Sequence, residues 1–439
     1  MLQAVFNAFK ISDLRRKILF TLAMLVITRI VAHVPVPGVD FAAYRRILSD
    51  TGDVGSVFRL LQLFSGSGAQ SFSVASMGVY PYITASIIIQ LLTGVIPRLT
   101  ELSKEGESGR NQLNKYTHWL TVPLAALQAY GQVQLISGGG ALTNFGLFGP
   151  TALNSWAIII SLITGTMFLV WLGELITEHG IGQGISIIIF GGIVARMPAS
   201  VSQLVGAGTG GGINLFGILV FGALGIATVI GIVLVNEGQR RIPVHYSRSI
   251  MRGGRMMRQA GSSFIPLRVN SAGMIPLIFA LSIMSFPRIV SSFFLYAKTD
   301  WVKGLANGIG RFFDQNSFTY NLIYFLMVVL FTFFYTSVQF SQQRIAENLQ
   351  KQGGAVPGIR PGPNTDRFLN TVVTRITVAG AVFLGVVAIA PWFAGLITNV
   401  PNQVITSTAL LIVVGVAIDT MKQLEAQLLM RRYEGFINR

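Results

Sequence analysis

The chain contains no cysteine. That excludes a disulfide framework, a thiolate metal site and a cysteine nucleophile, and it leaves the redox compartment open. Charge is almost as scarce: 11% of the 439 residues are Asp, Glu, Lys or Arg, against about 25% in a soluble globular protein. The four histidines, His33, His118, His179 and His245, are scattered, none is followed by Glu, and no two have metal-ligand spacing. No Gly is followed by Lys, so no P-loop exists to cradle the phosphates of a nucleotide. Thiol chemistry, metal-assisted hydrolysis and P-loop ATP hydrolysis drop out together, and no cofactor is expected.

What is present is apolar. Hydrophobic residues make up 51% of the chain, with a mean hydropathy of +0.60, in uncharged stretches too long to be wrapped inside a water-facing shell. A crossing helix needs about 20 apolar residues, and the pattern predicts ten: 18–34, 74–96, 116–136, 152–173, 184–204, 215–236, 270–290, 319–339, 371–393 and 403–423. Two divisions rest on turn chemistry, at Ser137-Gly-Gly-Gly140 with Gly149-Pro150, and around Pro391, Asn399, Pro401 and Asn402.

The formal charge of +16 suggests nucleic acid in a soluble protein, but here its distribution reads as topology. Of 33 Lys and Arg, 24 fall in 1–17, 97–115, 237–268, 340–375 and 422–439, the segments that lie inside if the chain starts inside. Both termini are therefore expected in the cytoplasm, with no cleavable signal. An odd number of crossings in each half, 18–204 and 205–423, gives halves of opposite orientation; this permits an inverted repeat, although no residue-level repeat is visible.

Residues 60–97 carry no charge, about twice what one crossing requires. Ser65 to Ser71 cannot form a lipid-facing helix, so 54–64, with Val57, Phe58, Leu60, Leu61, Leu63 and Phe64, reads either as a short helix enclosed by protein or as an amphipathic helix on the outer surface. Ser67 in this hinge lacks a visible base, so an intramembrane serine protease is remote. Gly180-Ile-Gly182-Gln-Gly184 follows a span, not a strand, and reads as an interfacial turn.

Charges within the spans are few. Arg29 and Arg196 lie toward outer ends, and Glu174 and Asp419 toward inner ends. Without a midplane acid or histidine, a proton- or ion-coupled carrier is disfavoured. Residues 237–268 hold seven arginines against Glu237 alone, and Val356 to Pro363 is a rigid turn that presents Arg360. These segments read as docking surfaces for phosphate or carboxylate, or else as topology determinants touching anionic lipid.

Eight segments in order resemble the SecY family, channel subunits of bacterial protein translocons: Pro35-Val-Pro-Gly-Val39, Pro81 to Gln90, Lys104 to Arg110, Trp171-Leu-Gly-Glu174, Gly180 to Phe190, Gly238-Gln-Arg-Arg241, Val269-Asn-Ser-Ala-Gly273 and Val356 to Gly362. The resemblance implies an all-α multi-pass membrane protein of ten transmembrane helices in two inverted five-helix halves around a central pore. It places 54–64 at the family's plug, and the constriction ring at Val79, Ile83, Ile185, Ile189, Ile278 and Ile412, with Val79 where the family often has isoleucine. It implies a lateral gate between the second and third spans and the seventh and eighth, carrying Ile87, Gln90, Asn270 and Ser271. Hydrogen bonds are expected across that seam. Arg240, Arg241 and Arg360 match docking positions for the SecA ATPase or a ribosome on loops 237–268 and 340–368, ahead of a cytoplasmic tail at 424–439. SecE, SecG and a signal peptide or nascent chain complete the implied partners. The rival from another class is a solute carrier with an alternating-access site.

Overall fold

The computed structural model describes residues 9, 11–49, 72–138, 140–142, 146, 152–209, 215–252, 255–294, 299–315, 317–343, 345–398 and 407–437. It is mostly helical. In chain order the helices are α1 Ser12–Val31, α2 Phe41–Ser49, α3 Tyr80–Val95, α4 Pro97–Lys104, α5 Glu107–Gly138, α6 Ala152–His179, α7 Gly184–Thr209 and α8 Leu215–Glu237. After two strands, β1 Gln239–Arg252 and β2 Arg255–Arg268, come α9 Ile275–Phe293, α10 Asp300–Phe312, α11 Phe318–Gln343 and α12 Ile345–Lys351. The two-residue strand β3 Gly354–Ala355 precedes α13 Pro363–Thr398 and α14 Ser407–Ile437.

Each of the ten expected spans overlaps a helix, with three shifts that have local causes. The second begins at Tyr80 rather than Val74, because Pro81 sits in the first turn, where its missing N–H costs nothing. Residues 72–79 before it are buried turns held by Ser73 pairing with Pro35 and by the Val74 N–H donating to the Val34 carbonyl at 3.0 Å. The seventh begins at Ile275, after a turn in which Gly273 adopts φ +64°. The ninth runs through Pro391 to Thr398.

Among the described residues, α6, α11 with its continuation and α13 are long and apolar enough to cross a membrane by length and composition, and α3 and α4 are so only as a pair, bent by 103° at their break. Shorter apolar runs lie within α7, α8 and α9. Helix α1 carries Arg15, Arg16, Lys17 and Arg29, and α5 carries Gln128 and Gln132, both buried. Both amides are thus turned into protein, and Gln132 Oε1 accepts from the Ser76 hydroxyl at 3.2 Å.

Residues 237–268, read from sequence as a loop, form a β-hairpin, so the chain is not wholly helical. The register runs from Gln239 opposite Arg268 to Arg252 opposite Arg255, and β3 adds to the other edge of β1 through His245 and Tyr246. The sequence carries the signal: Ile242, Val244 and Tyr246 alternate, and Gly253-Gly254 separates two strand-like runs. High arginine content hid it.

Between α6 and α7 the chain turns within four residues. A Cβ at Gly184 would run into the Gly173 carbonyl, and one at Gly173 would come 2.8 Å from Ile185 Cγ1. Small residues here allow the two helices to approach backbone to backbone. Gly184→Val should therefore force the helices apart and cost about 1–3 kcal/mol, read as a lowered midpoint of thermal unfolding in detergent; an unchanged midpoint would remove this close-approach role.

Candidate functional site

The six expected ring residues come from both halves of the chain. Val79 precedes α3 and Ile83 lies one turn on, Ile185 and Ile189 lie one turn apart on α7, Ile278 is on α9 and Ile412 on α14. All six fall in one apolar cluster: five are buried, and Ile185 is partly buried against them. Helix α9 packs on α3 and α5, and α14 packs on α7, so helices from the first and second parts of the chain are in contact. Branched aliphatic walls of this kind exclude water without offering any group that binds a passing chain.

The seam between α3 and α5 on one side and α9 and α11 on the other is in contact. The Tyr80 hydroxyl donates to the Ser282 carbonyl at 3.4 Å, and Gly94 lies against the Phe334 ring. Neither Gln90 nor Asn270 makes a described hydrogen bond across the seam. Asn270 is buried in the turn before α9 and donates instead to Asn236 Oδ1 at 2.8 Å and to the Gly273 carbonyl at 3.2 Å. Ser271, exposed in the same turn, donates to the Arg268 carbonyl. The left-handed Gly273 sets this turn and aims Asn270 back at α8. Ile87 is buried in α3, while buried Gln90 Oε1 has no hydrogen-bond partner among the described residues. The six residues expected in the plug, Val57 to Phe64, lie outside the described residues.

The two basic segments form one body. Ile242, Val244 and Leu267 of the hairpin share a second apolar core with Ala346 and Leu349 of α12, Val356 of the following turn, and Leu369, Val372 and Val373 of α13. Arg360 is exposed on the turn 356–362, where Gly358 and Gly362 adopt φ +78° and +106°. Thr365 Oγ1 donates to the Arg360 carbonyl at 3.0 Å, which fixes the backbone and leaves the side chain outside. Arg240 and Arg241 are exposed on β1, and the Arg241 guanidinium carbon lies 4.8 Å from the Phe264 ring centroid, a cation–π contact that holds the group in place. Glu237 is engaged by Lys422 Nζ at 2.9 Å, so it does not neutralise the hairpin.

Sequence reasoning missed one buried cation. Arg288, at 6% exposure in α9, lies 3.8 Å from Asp314 beyond α10. Its position inside the apolar run 270–290 was the available signal. Arg29 reaches from α1 to α7 and donates to the Gly191 and Gly192 carbonyls at 2.6 and 3.1 Å, and Glu174 meets His118 at 3.0 Å. These contacts tie α9 to the segment after α10, α1 to α7, and α5 to α6.

The SecY family model matches residues 73–421. Protein translocase subunit SecY of Thermotoga maritima is 41% identical, with 100% of this chain and 98% of that protein covered. A solved protein-conducting channel superposes with a TM-score of 0.66 at 18% identity, over 94% of this chain and 92% of its own. Sec61 from a canine ribosome–channel complex gives 0.62 at 17% identity, with the same coverage. At such identities the two structures establish the shared fold. The end-to-end identity to the bacterial translocase subunit goes further, and by it the chain belongs to the SecY family.

Proposed function

We propose that the chain is the conduit of a bacterial translocase: unfolded secretory proteins cross the cell membrane through its centre, and apolar segments leave sideways into lipid. It is a membrane-embedded channel subunit rather than a catalyst. The observation that carries the finer reading is the gathering of aliphatic side chains from both halves, Val79, Ile83, Ile185, Ile189, Ile278 and Ile412, into one apolar cluster. On this reading ten helices form two inverted halves, 18–204 and 205–423, and that cluster is the waist between them. Residues 54–64 are the plug above it. The concentration of 24 of 33 basic residues in alternate connections supports cytoplasmic termini.

The lateral gate is the seam crossed by Tyr80 and Ser282, with Ile87, Gln90, Asn270 and Ser271 along it. Polar links there are worth roughly 0.6–2 kcal/mol each, weak enough for an entering apolar helix to part. Tyr80→Phe removes one without changing the packing volume. It should ease opening and let a signal peptide of lowered hydrophobicity be exported, and unchanged export of that peptide would remove Tyr80 from the gate.

Force comes from outside, since the chain has no P-loop. The body carrying Arg240, Arg241 and Arg360 suits docking of the SecA ATPase or a ribosome; a fold neighbour was solved on a ribosome. SecE and SecG are the expected small membrane partners, and anionic lipids the expected surroundings of the basic face. A photoreactive residue at Ile278 should cross-link to a secretory protein stalled halfway across. Cross-linking confined to lipid would contradict the assignment of the waist.

A further inference from the structure

We propose that α10 is a lipid-seated anchor, lying along the outer membrane surface with one face inserted among acyl chains. The proposal rests on the topology above, which puts the connection between α9 and α11 outside. Three observations carry it.

First, most of α10, together with the Phe313 that follows it, falls into three stripes. Val302, Ala306, Gly310 and Phe313 recur at helical spacing and are partly or fully buried, Ala306 at 3% exposure, against the protein. Trp301, Leu305, Ile309 and Phe312 form a second stripe, 74%, 51%, 40% and 49% exposed. Asp300, Lys303, Asn307 and Arg311 form the third, polar and of net positive charge. A helix that only capped the protein from water needs two faces. One with protein, apolar and cationic faces fits a boundary where protein, hydrocarbon and headgroups meet.

Second, the chain on either side of α10 also exposes large apolar side chains. Helix α10 connects α9 and α11, whose neighbouring Phe286, Phe294, Phe318 and Leu322 are 43–63% exposed. Tryptophan and lysine at this level match the interfacial preference of both side chains.

Third, Gly304 and Gly308 lie between the apolar and cationic stripes and line a groove with Trp301 and Leu305. A Cβ at either glycine would meet nothing within 4 Å, so packing inside the chain does not require them. Each weakens the helix by about 1 kcal/mol relative to alanine. They leave an open apolar furrow, and the occupant we assign to it is an acyl chain whose phosphate sits by Lys303 and Arg311.

The absence of native cysteine makes the test clean. Single-cysteine variants of the full chain, Lys303→Cys, Leu305→Cys, Asn307→Cys and Ile309→Cys, are spin-labelled and reconstituted with the small partner subunits in vesicles of phosphatidylethanolamine and phosphatidylglycerol. Labels at 305 and 309 should be relaxed more by oxygen than by a water-soluble nickel chelate, and labels at 303 and 307 the reverse. Stronger nickel relaxation at 305 and 309 means that the face is in water, and shielding from both means that protein covers it. Either result overturns the anchor. Separately, a membrane-impermeant maleimide applied to the Lys303→Cys variant in cells reports the side on which α10 lies. Protection in intact cells with labelling only after the membrane is permeabilised would break the topological reading, whatever the relaxation pattern shows.

Discussion

Arg360→Glu is expected to leave the chain inserted and folded, yet to abolish SecA-driven export. The side chain is exposed and the turn is held by other groups: Val356 and Ile359 fix it to the second apolar core, and the Arg360 backbone carbonyl, not the guanidinium, takes the Thr365 hydroxyl. Reversal therefore acts on the partner. Arg presents a planar fork to carboxylates, and breaking one desolvated charge pair costs about 2–5 kcal/mol, which corresponds to roughly thirtyfold or more in docking affinity. The measurement is translocation of a radiolabelled secretory protein into vesicles, with chain abundance followed alongside. Export at the normal rate would show that the turn is a topology signal and not a docking surface. Arg360→Lys should restore part of the rate, since the charge returns without the fork.

The second large effect is expected at the proposed waist. Ile278→Asn and Ile412→Asn place an amide in a cluster whose members are mostly below 9% exposure. A buried amide without a partner costs about 1–3 kcal/mol, and hydrating it recovers that amount, which shifts the dry-to-wet balance roughly five- to a hundredfold. Resting ion conductance across a planar bilayer should rise accordingly, and export should become less selective for signal peptides. Ile278→Val, which keeps the wall apolar, should seal nearly as well as isoleucine. An Asn variant with the same resting leak as the parent would place Ile278 and Ile412 in ordinary packing.

Much of this was legible because lipid imposes strong constraints on sequence. Apolar run length, glycine breaks and basic connections placed the helices: Ser137 to Gly140 lies where α5 stops, and the Gly180–Gly184 segment is the turn before α7. Helix starts were less legible where a proline deferred them, as at Tyr80 before Pro81, or where Gly273 opened a turn before α9. The hairpin escaped notice because charge density outweighed its alternation. Its union with α12 and the 356–362 turn depends on contacts about 80 to 115 residues apart, to which local pattern is blind. The seam was half legible. Gln90 and Asn270 stood out as polar residues in an apolar wall, but a side chain's partner depends on the turn that aims it, and that turn points Asn270 at Asn236. Arg288 was visible as a letter and passed over, because its compensation by Asp314 is tertiary.

The most direct measurement is transport by the purified chain with its small partner subunits in sealed vesicles. A conduit driven from outside should admit an unfolded secretory protein only when SecA and ATP are both supplied, and should carry no small solute in their absence. Saturable uptake of a small solute by this chain alone, with no passage of polypeptide when the motor and its fuel are present, would contradict that reading.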